Sequence, residues 1–300
     1  MRAISQERFG GPEVLHVVDI EPPSTAPGEV LVRVHAAGVN PADWKRRAGL
    51  LRRFGEPPFT VGLDFAGTAD GTAVFGVVLP PRGTYAEFVA VPRVQLAPAP
   101  EGLDPVHAAA LPTTALTAWQ ALVRGAGLQR GQRVLVHAAA GGIGHLAVQI
   151  AKARGAYVIG TARRDKHDFV AGLGADEVVD YTAVDFTKAV QDVDVVLDPI
   201  AGDYGPRSLE VLSPDGILVD VRGTGPDRTA VRALAQERGL RYTQFGFTPS
   251  GEDLRKIAAM VESGTLGVAV DRVLPLEEAA RAHELSESGP VRGKIVLAVA

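Results

Sequence analysis

Apolar and polar positions alternate along the first third of the chain with the period of two that marks a half-buried strand. Glu29–Val39, EVLVRVHAAGV, has this alternation, and Gly83–Pro92 is predicted as a second strand or one arm of a hairpin. Turn signals rich in Gly and Pro separate these segments. One short helix is expected around PADWKRRAG, because Pro41 suits a first helical position. This part of the chain therefore predicts a mostly β unit.

From about Leu103 the pattern changes to short apolar runs that alternate with helical periodicity. The runs are rich in Val and Ile and read RVLVHAA, AYVIGTA, EVVDY, VDVVLDPI and ILVDVRG. Strands that alternate with helices in this way predict βαβ units and a parallel sheet. After about Tyr242 we expect a helix with Ser250 as its N-cap, a second helix over Glu277 to Glu287, and a closing strand GKIVLAV.

Closely spaced glycines mark the first of these transitions from strand to helix. Gly141, Gly142 and Gly144 follow RVLVHAA and precede a helical pattern, which is the context that a dinucleotide-binding turn requires. Such a turn lets the backbone approach a pyrophosphate, and the helix N-terminus presents free N–H groups to it. Ala139 replaces the first glycine of the GxGxxG motif, so a packing turn without a ligand stays open as the alternative. The sequence has no GxxxxGK[ST] loop.

The residues after the next strand indicate which dinucleotide binds. An NAD enzyme usually carries an acid about 20 residues past the glycines, where it bonds the ribose 2′-OH. Ala162 stands at this place, and Arg163 and Arg164 follow it, with Lys166 close by. Guanidinium groups bind a 2′-phosphate that a carboxylate would repel, so the sequence favours NADPH. The alternative is a solvated basic helix start, which the helix dipole disfavours.

Composition narrows the class of protein. A chain of 300 residues with 46% hydrophobic and 22% charged positions describes a well-packed globular protein, which we expect to form two domains. Its formal net charge of −4 argues against nucleic acid or an anionic membrane as the partner. No window resembles a membrane span. The N-terminus lacks the apolar core of a secretory signal, so we expect a cytoplasmic protein.

The lack of cysteine removes several kinds of site. Disulfides, thiolate nucleophiles, iron–sulfur clusters and zinc sites with sulfur ligands all need cysteine, and the sequence contains none. The seven histidines are scattered, without HExxH or HxH spacing. We therefore expect no metal.

Stretches along nearly the whole chain resemble one family. They read GGPEVL, GEVLVRVHAAGVNPADWK, GLDFAG, GTYAEFVAV, LPTTALTAWQAL, VLVHAAAGGIGHLAVQIAK, GADEVVDY and VRGKIVL. In this order they resemble the zinc-free quinone oxidoreductase (zeta-crystallin-like) branch of the medium-chain dehydrogenase/reductase superfamily, whose glycine turn has the AAAGGIG form. The chain departs from the family at Thr68–Thr72, where TADGT replaces a longer stretch. A hairpin of the first domain is therefore expected to be trimmed.

The resemblance implies an α/β fold with two domains. A GroES-like, mostly β domain for the substrate would comprise residues 1–112 and 246–300. A Rossmann domain for NADPH, with a parallel doubly wound sheet, would comprise residues 113–245. The resemblance also implies that the substrate and the nicotinamide lie in the cleft between the domains, and that the chain forms a homodimer through its cofactor domain.

The resemblance further implies roles for residues at matching positions. It places Asn40, Lys45 and Thr117 near the nicotinamide and the substrate, with Lys45 facing the developing enolate or quinolate charge; the alternative for Lys45 is a surface lysine. Around the cofactor it places Gly141, Gly142, Ile143, Gly144, Ala162, Arg163, Arg164, Tyr181, Phe245, Phe247, Gly293 and Lys294. Tyr85 is a weaker candidate, because a strand tyrosine usually packs.

The activity implied is NADPH-dependent hydride transfer to a small-molecule quinone or α,β-unsaturated carbonyl compound. Quinones and activated alkenes accept a hydride more readily than an ordinary ketone does when no metal polarises the oxygen. Two alternatives stay open. One is a non-catalytic NADPH-binding protein with a structural or regulatory role. The other is an enoyl-thioester reductase, for which Arg46, Arg47, Arg52 and Arg53 would form a basic groove.

Overall fold

The computed structural model describes residues 1–223, 227–289 and 291–299. The chain separates into two compact units. Unit 1 comprises residues 1–116, 248–264 and 268–300, and unit 2 comprises residues 117–247 and 265–267. The domain boundaries predicted from the sequence, 112/113 and 245/246, lie a few residues before the corresponding unit boundaries and stay a prediction.

Strands and short helices alternate along the chain. The strands are β1 (Arg2–Gln6), β2 (His16–Asp19), β3 (Glu29–Val39), β4 (Phe59–Thr60), β5 (Asp64–Ala69), β6 (Thr72–Val77), β7 (Phe88–Pro92), β8 (Leu96–Pro98), β9 (Arg133–Val136), β10 (Tyr157–Ala162), β11 (Glu177–Asp180), β12 (Val193–Asp198), β13 (Leu212–Asp220), β14 (Arg241–Gln244), β15 (Val270–Pro275) and β16 (Lys294–Ala298). The α-helices are α1 (Pro41–Arg47), α2 (Pro105–Ala109), α3 (Pro112–Gln120), α4 (Gly144–Ala153), α5 (His167–Gly172), α6 (Phe186–Ala189), α7 (Tyr204–Glu210), α8 (Thr229–Glu237), α9 (Gly251–Glu262) and α10 (Ala279–Ser288).

Unit 1 is built around the long strand β3. In the described residues its larger sheet has the strand order β15-β16-β3-β5-β6-β8, and β7 also pairs with β3. β16, from the end of the chain, lies antiparallel to β3, with Ile295 opposite Val39. A smaller sheet has the order β2-β1-β4. The two ends of the chain therefore meet in one sheet, as the resemblance implied.

Unit 2 contains a sheet in which every pairing is parallel, with the order β11-β10-β9-β12-β13-β14. The chain moves outward from β9 in one direction through β10 and β11, and in the other through β12 to β14. The strand order therefore reverses between β9 and β12, and open α/β sheets bind their ligands at the carboxyl ends of strands at such a point. The predicted fold class, a Rossmann domain with a GroES-like β domain, is confirmed.

Local sequence signals agree with the elements. β3 has the predicted bounds, and the Ser250 hydroxyl accepts from the Asp253 amide at 3.1 Å at the start of α9. The predicted helix over Glu277 to Glu287 begins as a 3₁₀ turn and continues as α10. The sequence did not predict that α3 continues into a π-helical turn, Ala121–Gly125.

Candidate active site

The glycine turn lies between the end of β9 and the start of α4. A Cβ atom on Gly144 would lie 2.2 Å from the Ala138 carbonyl oxygen and 2.7 Å from the Ala139 Cα atom, so only glycine fits there. A Cβ on Gly141 would lie 3.2 Å from the Ala138 carbonyl oxygen and 4.0 Å from the Ala138 Cβ. Ala138 itself has the left-handed φ of 49°. Small residues thus bring the first turn of α4 close to β9, and the N-terminal N–H groups of a helix have no partner within the helix.

Basic side chains follow the neighbouring strand β10. β10 and β11 end side by side, because Ala162 pairs with Asp180. Arg163 and Arg164, directly after β10, are exposed, and Tyr181, directly after β11, is 41% exposed. The structure therefore brings these three predicted residues to one edge of the sheet.

The residues at this edge fit a dinucleotide with a 2′-phosphate. The turn supplies backbone N–H groups at a helix N-terminus for a pyrophosphate. Two exposed guanidinium groups stand where an NAD enzyme has a carboxylate. One carboxylate at this edge is that of Asp180, whose Oδ1 accepts from the Thr182 amide at 3.0 Å and from the Thr182 hydroxyl at 2.6 Å. These bonds are the main reason why the pKa of Asp180 is lowered.

Other residues predicted for the cofactor or the nicotinamide lie elsewhere in unit 2. Phe245 follows β14, and its amide donates to the Asp220 carbonyl at 2.8 Å. Its ring packs against Gly125, where a Cβ would lie 3.0 Å away. Phe247 is half-buried at the end of this segment. Thr117 lies in α3 and is 4% exposed. Their contacts with a cofactor stay a prediction.

A second group of predicted residues lies inside unit 1, where charged and polar side chains are buried together. The Asn40 Nδ2 donates to Asp64 Oδ2 at 2.9 Å, and its Oδ1 accepts from Lys294 Nζ. Lys294 Nζ also donates to the Val39 carbonyl at 2.9 Å and lies 3.6 Å from Asp64 Oδ2. The other Asp64 oxygen accepts from the Thr113 amide at 2.9 Å. Asn40 and Lys294 are thus engaged with each other.

The same cluster continues through a tyrosine and a histidine. Asp43 Oδ2 accepts from the backbone N–H of Asn40 at 2.8 Å and from the Tyr85 hydroxyl at 3.3 Å. The Tyr85 oxygen lies 3.3 Å from His283 Nε2, and His283 Nδ1 lies 3.3 Å from Arg47 Nη1. Tyr85, the weaker candidate from the sequence, is fully buried. Its hydroxyl links the two halves of the cluster.

Burial controls the protonation of this cluster. It raises the pKa of Asp64, raises that of Asp43 to about 7, and lowers that of Lys294, because each charged form loses its hydration. The opposite charges of Asp64 and Lys294 work against these shifts. Burial and the positive charge of Arg47 together lower the pKa of His283 to about 3, so its imidazole is neutral.

Lys45 lies in α1 and is 8% exposed, so it is not the surface lysine of the alternative interpretation. Its ammonium lies 5.6 Å from the centroid of the Trp44 ring. Gly293 has the left-handed φ of 76°, and a Cβ there would lie 2.2 Å from the Ala269 carbonyl oxygen. Gly293 therefore permits a close backbone approach before β16. The roles predicted for Lys45 and Gly293 stay predictions.

The basic groove considered for a carrier arm is not formed by all four arginines. Arg46 and Arg47 are 4% and 1% exposed. The Arg47 guanidinium contacts Glu287 at 2.6 Å, and that of Arg46 lies 3.8 Å from the centroid of the Phe59 ring. Only Arg52 and Arg53 of the four are exposed.

Sequence reasoning missed Asp43, Asp64 and His283 as site residues. Asp64 carried a usable signal, because a carboxylate within the apolar run VGLDFAG must find a buried partner. Asp43 follows Asn40 at the spacing of a helix cap. His283 has no such signal, since its partners are Tyr85, which precedes β7, and Arg47, at the end of α1.

The described part of the chain contains neither a candidate metal cluster nor a membrane-spanning helix. No group of three or more His, Asp or Glu side chains there could hold a metal ion. No helix among these residues has both the length and the apolarity to cross a bilayer.

Two protein-family models match the chain. Residues 26–73 match the alcohol dehydrogenase GroES-like domain, and residues 173–297 match a family described as zinc-binding dehydrogenase. Pig quinone oxidoreductase is 32% identical, over 99% of this chain and 97% of its own. The chain belongs to the zinc-free quinone oxidoreductase branch of the medium-chain dehydrogenase/reductase superfamily. It is an oxidoreductase, as the sequence predicted.

Other proteins resemble the chain over most or all of their length. The mouse mitochondrial NAD(P)H oxidoreductase RTN4IP1 is 31% identical, over 98% of this chain and 88% of its own. The solved quinone oxidoreductase of Coxiella burnetii has a TM-score of 0.93 and 36% identity, covering 100% and 99% of the two chains.

Two other similar solved structures are informative because one contains a cofactor and the other is named for its substrate. The Escherichia coli quinone oxidoreductase complexed with NADPH has a TM-score of 0.88 and 28% identity, covering 100% of both chains. A 2-haloacrylate reductase has a TM-score of 0.85 and 31% identity, covering 100% and 99%.

Proposed function

We propose that this oxidoreductase uses NADPH to transfer a hydride to quinones or to α,β-unsaturated carbonyl compounds. The observation that carries the proposal is the glycine turn with its basic neighbours. Gly144 admits no side chain, and Arg163 and Arg164 follow the adjacent strand. The cofactor assignment is supported by the Escherichia coli relative, which was solved with NADPH.

In this proposal the residues of unit 2 bind and orient the cofactor. Backbone N–H groups at the start of α4 receive the pyrophosphate, and Ile143 and its neighbouring glycines keep that approach open. Arg163, Arg164 and Tyr181 hold the 2′-phosphate. NADPH, when bound, supplies the hydride, and the acceptor gains a proton from water or from a hydroxyl of the site.

The substrate residues are proposed in the same way. Lys45 and Thr117 are the side chains assigned to the acceptor and the nicotinamide, with the Lys45 ammonium stabilising the negative charge that develops on the acceptor oxygen. Asn40 holds Asp64 and Lys294 through both ends of its amide. Its Nδ2 also lies 3.5 Å from the Gly38 carbonyl oxygen, so most of its hydrogen-bonding capacity is used within the protein.

The acceptor class is supported by the names of two relatives. One is a quinone oxidoreductase and the other reduces 2-haloacrylate, an activated alkene. Both kinds of acceptor spread the charge of the added hydride over conjugated oxygen. An enoyl-thioester reductase is less well supported, because Arg46 and Arg47 are buried.

The test is a titration of the full-length protein with NADPH and NADH side by side, followed by NADPH oxidation with 9,10-phenanthrenequinone and with a simple enone. We expect tighter binding of NADPH than of NADH, and oxidation by at least one acceptor. The faster acceptor then identifies the substrate class.

Two results would contradict the proposal. Tight NADPH binding without turnover of any quinone or enone would remove the assigned acceptors. Failure to bind either nucleotide would remove the account of the glycine turn.

We also propose a cytoplasmic homodimer that pairs through the cofactor unit. Light scattering measures the mass of the assembly directly.

A further inference from the structure

His137 is a titratable side chain at the base of the glycine turn that the proposed reaction does not use. It follows β9, and its backbone amide continues the ladder by donating to the Leu197 carbonyl at 3.1 Å. The side chain is fully buried. Its ring contacts the edges or faces of Phe186 and Tyr204, with centroids 4.7 and 5.0 Å away. The imidazole is therefore held firmly next to the turn.

A chain of hydrogen bonds connects this imidazole to the turn. The Ala138 amide donates to Thr161 Oγ1 at 3.2 Å. Thr161 Oγ1 lies 3.3 Å from His137 Nδ1, and His137 Nε2 lies 3.0 Å from Ser208 Oγ. This chain of hydrogen bonds thus runs from the turn to Thr161 on β10, back to His137 after β9, and on to Ser208 in α7.

The direction of each bond follows from the donors available. The Thr161 oxygen accepts from the Ala138 amide, so its single hydroxyl proton is free to point at His137 Nδ1. We assign Nδ1 as the acceptor nitrogen of this bond, which places the ring proton on Nε2, toward Ser208. Burial, together with the charge of Arg207, lowers the pKa of His137 to about 3, which agrees with this neutral form.

The amide at the end of this chain belongs to a strained residue. Ala138 has a φ of 49°, a region that residues with a side chain rarely adopt. Its carbonyl oxygen is also the atom that excludes a side chain at Gly144. The conformation of Ala138 therefore determines how closely the first turn of α4 approaches β9.

We propose that His137 is a positioning residue for the cofactor: through the Thr161 hydroxyl it holds the Ala138 amide, and with it the glycine turn, in the conformation that receives the pyrophosphate. This inference rests on the proposed function, because it assumes that the turn binds NADPH. His137 itself does not contact the cofactor.

The test compares two pairs of variants of the full-length protein. Thr161→Val removes the hydroxyl at nearly constant volume, and Thr161→Ser restores it. His137→Leu removes the acceptor, whereas His137→Asn keeps an oxygen near the position of Nδ1. Thr243→Val is the matched control, because Thr243 lies on β14 at the far edge of the same sheet.

Affinity for NADPH is measured by fluorescence titration, together with KM and kcat and the hydrogen exchange of the Ala138 amide. We expect Thr161→Val and His137→Leu to weaken NADPH binding about tenfold, the loss of roughly one hydrogen bond. Their kcat at saturating NADPH stays within about twofold of wild type, because no reacting group changes. Thr161→Ser, His137→Asn and Thr243→Val stay close to wild type.

An unchanged affinity in Thr161→Val would overturn the inference, and so would equal losses in Thr161→Val and Thr161→Ser. If Thr161→Val does not fold, the comparison of His137→Leu with His137→Asn decides. If the wild-type protein binds no NADPH, the proposed function fails by itself. Exchange of the Ala138 amide then decides the positioning role: faster exchange in Thr161→Val supports it, and unchanged exchange overturns it.

Discussion

Charge is arranged in opposite ways at the carboxyl edge of the sheet in unit 2 and in the buried cluster in unit 1. At the sheet edge, the backbone of the glycine turn and the exposed Arg163 and Arg164 present positive charge to solvent. In unit 1, Asp64 and Lys294 are 0% and 3% exposed and face each other within a closed set of hydrogen bonds. The exposed basic groups of the first region can still bind an anion, whereas the buried charged groups of the second region bond one another.

The contrast distinguishes groups that bind a ligand from groups that stabilise the fold. A group that receives a ligand has to keep hydrogen-bonding capacity for it, as the exposed guanidinium groups of Arg163 and Arg164 after β10 do. A buried charge without a partner is costly, so Asn40, Asp64 and Lys294 satisfy one another. We therefore expect substitutions at the sheet edge to change affinity, and substitutions in the cluster to change stability.

The largest effect is expected from Lys294→Met. It leaves Asp64 and the Asn40 oxygen buried without their cation, so the free energy of unfolding should fall by about 3–5 kcal/mol. Urea denaturation of the full chain measures it. Lys188→Met, at an exposed position of α6, is the control and should change stability by less than about 0.5 kcal/mol. Equal effects of the two variants would mean that the cluster does not support the fold.

Gly144→Ala comes next. The added Cβ has to displace the Ala138 carbonyl, 2.2 Å away, so NADPH binding should weaken about a hundredfold, or about 2.7 kcal/mol. Gly172→Ala in α5 is matched to it, because a Cβ there meets nothing within 4 Å. Fluorescence titration of both variants tells them apart, and an unchanged affinity in Gly144→Ala would break the assignment of the turn.

The double variant Arg163→Gln, Arg164→Gln sharpens the comparison at the sheet edge. Loss of two guanidinium groups should weaken NADPH binding about 30-fold, close to the value of one strong charge-assisted bond, and leave NADH within about twofold. Arg238→Gln, an exposed arginine after α8, should leave both affinities unchanged. Parallel losses for NADPH and NADH would show that these arginines do not read the 2′-phosphate.

The smallest effect is expected from Asp43→Asn in the cluster. The pKa of Asp43 is about 7 in the folded protein, against an ordinary 3.8. The folded state therefore holds a proton that the unfolded state releases, and the free energy of unfolding should decline as pH rises from about 4 to about 7. Asn cannot release that proton, so the decline should shrink by on the order of 1 kcal/mol.

Thermal unfolding at pH 5 and pH 8 measures this change in Asp43→Asn. Asp19→Asn, at an exposed position of β2, serves as the control and should keep the slope of the wild-type protein. If Asp43→Asn keeps the wild-type slope as well, then Asp43 is ionised in the fold and another group carries the excess proton.

Local patterns account for what could be read before the structure. Strand–turn–helix order is set by residues next to each other, so the glycine turn, β3 and the Ser250 cap follow from the sequence alone. The same holds for Arg163 and Arg164, whose position depends only on where β10 ends. The π-helical turn at Ala121–Gly125 was not foreseen, because its stability depends on packing, including that of Phe245 against Gly125.

The sequence by itself determined the fold class and predicted the place of the cofactor turn and its preference for a 2′-phosphate, because these depend on neighbouring residues and on residue type. Only the tertiary structure decided which charged groups are buried together. Asn40 and Lys294 stand 254 positions apart and Tyr85 and His283 stand 198 apart, and no local pattern specifies such pairs. Burial then decides their protonation, because the hydration lost by a charge depends on every element packed around it.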